Sequence, residues 1–126
     1  MLHTIFLYAA AGMSCAACLA HILVGTAKNA APILNNLSLE EGPRTTMTFS
    51  WESNSILMMF MAVGFLLGAV KRDASLVYFV TALSICLAVW GVIVALRLSH
   101  NPMTFPPAIL FLVIAVFGAV GATAPA

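Results

Sequence analysis

The residues best suited to chemistry lie in one short run, CAACLAH, where Cys15, Cys18 and His21 follow one another at three-residue intervals. On a helix such neighbours share a face, so two thiolates and an imidazole could reach one soft ion, copper(I), zinc or mercury. A second chemistry for the pair is thiol–disulfide exchange. Cys15 falls near the middle of an apolar run, however, where burial raises a thiol pKa and lowers its reactivity. The third use is structural, because free cysteine packs as a small apolar side chain; Cys86 asks for no other account. Three cysteines cannot all pair within one chain, so no disulfide framework is expected.

His21 and Glu52 are expected on neighbouring helices within one or two turns of the same depth. Such a polar intramembrane pair serves either as a proton-coupled site or as helix glue. Ser53, Asn54 and Ser55 beside it suit the caps of a helix start. A bis-histidine haem needs two histidines facing each other across helices; His3 lies at the far end of the first apolar run, which leaves His21 with His100. Met58, Met59 and Met61 offer thioether sulfur for copper, but they do not share one helix face and serve equally as apolar filler. The sequence contains no H-E-x-x-H, nucleophile elbow, phosphate loop or dinucleotide fingerprint. No catalytic residue is assigned from it.

Composition sets what must position these residues. The chain of 126 residues is 63% hydrophobic and 7% charged, with a mean hydropathy of +1.08. A soluble domain is close to half apolar and a quarter charged. The bilayer is therefore the expected solvent, and the expected protein is a multi-pass integral membrane protein of the bacterial inner-membrane kind. A net charge of +1, with no basic cluster beyond Lys71 and Arg72, gives nucleic acid no electrostatic footing. The expected partners are the lipid bilayer and other membrane subunits or further copies of the chain.

Four apolar windows, at about residues 4–26, 53–70, 75–96 and 105–122, meet the ~20-residue requirement for a span. The fold class is thus all-α, a four-transmembrane-helix up-down bundle forming one membrane domain over residues 1–126, with both ends on one side. The first window lacks the flanks of a cleaved signal and is expected to stay as a span. Lys71, Arg72 and Asp73 make a tight turn, and Pro102, Pro106 and Pro107 break the chain before the fourth span. In the longer first connection, Ile33, Leu34 and Leu37 at helical spacing predict a short interfacial helix. The stretch GPRTT is expected to break that helix, and Trp51 to mark the headgroup level where span two begins. Lys28, Arg44 and Arg97 on one side nearly balance Lys71 and Arg72 on the other, so the positive-inside rule leaves orientation open.

On the first span, His3, Thr4, Tyr8, Ser14, Cys15, Cys18, His21 and Thr26 fall within an arc of roughly 140°. Polar atoms at membrane depth turn toward protein rather than lipid, so this face is expected to look inward. Small residues four apart form ridges for close helix approach: Gly12, Ala16 and Ala20; Gly64 and Gly68; Gly91 and Ala95; Gly118 and Ala122. The ridges either seal the bundle or dock it onto another membrane protein.

The CAAC motif inside the first of four apolar spans resembles the mercury-resistance membrane carriers. That resemblance implies a small four-span protein in which Cys15 and Cys18 accept the metal. The long first connection, LSLEEGPRTTMTFSW, and the lack of cysteines near the C-terminus depart from that pattern. The chain is also similar to small bacterial four-span membrane proteins with a histidine late in span one and a tryptophan opening span two, a likeness that implies no function.

The sequence thus supports a non-catalytic membrane protein, either an accessory or interaction subunit or a small-ligand-binding bundle, with no cofactor assigned. The alternative is a soft-metal carrier using Cys15, Cys18 and His21. A haem- or quinone-associated subunit is the third reading.

Overall fold

Long apolar runs broken only by short polar or proline-containing stretches leave the chain little choice but extended helices. The computed structural model describes residues 2–36 and 38–124. It contains four long helices: α1 (Leu2–Leu34), α2 (Glu41–Lys71), α3 (Ala74–Arg97) and α4 (Pro106–Thr123). Each is long and apolar enough to cross a membrane, and no strand occurs among the described residues. The helices close a ring in chain order, each packed on the next and α4 returning to α1.

The turns follow from local chemistry. After α2, Arg72 adopts a left-handed backbone (φ 55°), Asp73 N–H bonds back to the Gly68 carbonyl at 3.1 Å, and the Asp73 carboxylate caps α3 by accepting the Leu76 N–H at 3.1 Å. After α3, Ser99 turns left-handed (φ 57°) and His100 N–H reaches the Ala95 carbonyl at 2.8 Å. Asn101 then caps a single 3₁₀ turn, Pro102–Thr104. Pro106 stands at the head of α4, where a missing N–H costs nothing.

The first connection differs from expectation. Instead of an interfacial helix, α1 runs on: it is α-helical over Leu2–Ala20, π-helical over His21–Ala30 and α-helical again over Ala31–Leu34. Pro32 has no N–H to place, and it falls where the ladder changes from five-residue to four-residue spacing, so the register change absorbs the missing donor. Leu37, expected on the interfacial helix, lies outside the described residues. GPRTT does not break a helix but forms the first turns of α2. Pro43 sits where the backbone donors are unpaired in any helix, and Thr46 and Thr48 return their hydroxyls to the carbonyls of Gly42 and Arg44. Trp51 and Ser53 to Ser55 consequently lie well inside α2 and cap nothing.

The core is built from Leu7, Ala10, Ala17 and Cys18 of α1, Met58, Met61 and Phe65 of α2, Val77 and Val80 of α3, and Ile114 of α4. Three of the small-residue ridges seal it. A Cβ at Gly64 or Gly68 would come within 2.5 Å of Val80 or Val77, and one at Gly91 within 2.9 Å of the Ala108 backbone. One at Gly118 would meet Thr81 Oγ1 at 2.7 Å and the Phe65 ring at 2.8 Å. Ala95 is buried and Ala122 half-buried. The fourth ridge points away: Gly12, Ala16 and Ala20 are exposed, and nothing lies within 4 Å of a Cβ built on Gly12. The inward face of α1 is instead Leu7, Ala10, Ala11, Ser14, Ala17 and Cys18. Of the polar arc, Ser14 and Cys18 are buried, while Tyr8 turns outward.

Candidate functional site

Among the described residues, the side-chain hydrogen bonds that join one long helix to another lie on the α1–α2 seam. The two helices run antiparallel, which sets Cys18 beside Ser55 and His21 beside Trp51. The Cys18 thiol, 1% exposed, donates to the Ser55 carbonyl at 3.3 Å. One turn further along, His21 Nε2 lies 3.1 Å from the Trp51 carbonyl. A carbonyl only accepts, so this contact places the proton on Nε2 and leaves Nδ1 as an acceptor. Both α1 side chains thereby dock on backbone carbonyls of α2 that already serve that helix's own ladder.

The π-helical stretch completes the seam. The indole of Trp51 stacks on the His21 ring, with centroids 3.9 Å apart and planes 22° apart. Its Nε1–H donates to Thr26 Oγ1 at 3.0 Å, and the Thr26 hydroxyl donates to the His21 carbonyl at 3.4 Å. That last bond spans five residues, the reach that π geometry supplies. Gly25 gives the indole its room: a Cβ there would sit 3.0 Å from Trp51 Cζ2.

The sequence-predicted residues divide accordingly. Cys18 and His21 are on the seam but are each bonded to a carbonyl; Cys15 is half-buried. Among the described residues, no group of three or more His, Cys, Asp or Glu side chains is placed to hold a metal ion. The imidazole of His21 pairs with Trp51 rather than with Glu52, which is exposed. The register explains the correction: His21 meets the seam-facing backbone of Trp51, and Glu52 is one position, about 100°, further round α2. His100 stacks on Phe105, with centroids 6.3 Å apart, and His3 Nε2 lies 3.1 Å from Thr4 Oγ1. Met58 and Met61 are core residues, and Met59 is exposed. Cys86 is exposed on α3.

Sequence reasoning missed the roles of Trp51, Gly25 and Thr26. The available signal was a small residue and a hydroxyl four and five positions after His21, with an indole opening the next polar patch. Also missed were Ser84 and Thr81, the α3 hydroxyls that join Ser14 in the bundle centre. Ser14 and Ser84 return theirs to the carbonyls of Ala10 and Val80 at 2.8 Å, whereas Thr81 Oγ1 is buried with no partner among the described residues.

No protein family, curated protein or solved structure matches the chain.

Proposed function

We propose that the protein is a non-catalytic, multi-pass integral membrane protein that works as an accessory or interaction subunit, docking through the outer face of α1. The observation that carries this reading is the outward turn of Gly12, Ala16 and Ala20, while the equivalent ridges on α2, α3 and α4 are used up inside the bundle. Without a hydrophobic drive between helices in lipid, such a ridge is what allows a second helix to approach closely. The seam supports the same reading: its thiol and imidazole are engaged in holding α1 to α2.

The test is co-purification in mild detergent of the parent and of a Gly12→Leu/Ala16→Leu variant. A partner, or a second copy, retained by the parent and lost from an equally folded variant supports docking. A parent that purifies as a lone monomer from crosslinked membranes defeats it. The soft-metal carrier rests on the CAAC resemblance and requires Cys18 to leave the Ser55 carbonyl. Metal content near one soft ion per chain, lost in a Cys15→Ser/Cys18→Ser variant, would replace the subunit reading with that one.

A further inference from the structure

At the end of the bundle opposite the seam, residues of all four helices and of the turn at Arg72 line a cavity of about 200 Å³. Its floor is apolar, formed by Leu7, Gly68 and Val77, and its rim carries His3, Arg72, Asp73 and Tyr78. The small residues of the helix ends create the space, and the turn at Arg72 puts adjacent charges of opposite sign at its mouth.

His3 supplies an independent sign of a missing ligand. Its Nδ1 is buried and has no hydrogen-bond partner among the described residues. The Thr4 hydroxyl lies 3.1 Å from Nε2; in the tautomer whose Nε2 accepts its proton, Nδ1–H is a buried donor without an acceptor. Arg72 beside it is a fork of donors suited to phosphate oxygens. Asp73 spends one oxygen, Oδ1, on the α3 cap and keeps Oδ2 for a cation.

A ligand that fits must offer an anion to Arg72 and His3, an N–H cation to Asp73, and an apolar body to Leu7 and Val77. The cavity also lies where the apolar helices end, which for a membrane-embedded bundle is the level of the hydrocarbon boundary. We propose that it is a binding site for a zwitterionic phospholipid headgroup, phosphoethanolamine on a lipid: the phosphate held by Arg72 and His3, the ammonium by Asp73. The assignment rests on the membrane reading and is independent of the docking face on α1.

The experiment equilibrates detergent-purified protein with equimolar short-chain phosphatidylethanolamine, phosphatidylglycerol and phosphatidylcholine and reads the retained lipid by native mass spectrometry. The parent is expected to hold phosphatidylethanolamine over the other two by about two- to fivefold, the range of a partly exposed ion pair. Asp73→Asn keeps an oxygen for the Leu76 N–H and so keeps the fold; it should bring phosphatidylethanolamine down to the level of phosphatidylglycerol. Arg72→Gln should lower all three. Excess soluble phosphoethanolamine should leave the lipid adduct in place. Equal retention of the three lipids by the parent, or variants that match the parent, overturns the site. Displacement by soluble phosphoethanolamine reassigns it to a water-soluble phosphate ester and overturns the lipid.

Discussion

The imidazole of His21 lies flat on the indole of Trp51, 3.9 Å between centroids, while its Nε2 bonds the carbonyl of that same tryptophan at 3.1 Å. One residue of α2 thus holds α1 through side chain and backbone together. Trp51→Phe keeps a ring under the imidazole and loses only the bond to Thr26; it should cost about 1 kcal/mol. Trp51→Ala loses the stack as well and should cost about 2–4 kcal/mol. Unfolding in mixed micelles gives both numbers, with amide exchange over residues 21–30 rising first. Two variants as stable as the parent would mean that the seam is ornamental.

The split between inward and outward ridges makes opposite predictions for one substitution. Gly118→Ala drives a methyl into Thr81 and Phe65 and should destabilise by about 1–3 kcal/mol. Gly12→Ala meets nothing and should be neutral or stabilising by up to about 1 kcal/mol, the helix propensity gain. The pair is read by thermal unfolding in detergent. Equal losses at both sites would place Gly12 in a packed interface of the lone chain.

Thr81 carries a hydroxyl that the core does not use. Thr81→Val keeps the side-chain outline and removes the unpaired group, so stability should rise by about 1–2 kcal/mol. A drop of that size would reveal a partner for Oγ1 in solution.

Accessibility orders the thiols. Cys86 is exposed, Cys15 half-buried and Cys18 buried, so a small membrane-permeant alkylating reagent should modify them in that order, with Cys18 protected until the bundle unfolds. Mass spectrometry of the labelled protein after timed quenching decides it. Fast labelling of Cys18 would show that its bond to the Ser55 carbonyl opens readily.

The four apolar helices, both turns with their prolines and charges, and the small-residue ridges were legible because hydropathy and backbone stereochemistry are local. The continuation of α1 past Thr26 was not. The apolar window ends at Thr26, and a π-helical register that carries the helix on through Pro32 has no local marker. The same gap hid the seam: His21 and Glu52 are near in depth, but which α2 residue faces His21 depends on a rotation of about 100° per position. Only the packed pair of helices fixes that angle. The inward direction of Ser14 and Cys18 was readable from the polar arc, whereas Tyr8 escaped it because a phenol near a helix end can reach the aqueous boundary.

The long α1 has a consequence for sidedness. Leu7 packs against Gly121, and on that register the first turn of α4 is level with about residue 22 of α1. Beyond it the π-helical stretch packs against α2, with Leu23 and Phe49 exposed at 67% and 72%. Placed in a bilayer, the molecule would lie nearly flush with one leaflet, at the Lys71–Asp73 turn, and stand proud of the other as a two-helix mast. Charge counts give it no preferred orientation, but its profile does make the two compartments unequal. A water-soluble visitor would find a handle on the mast side and, on the other, only the turn and the cavity beside it.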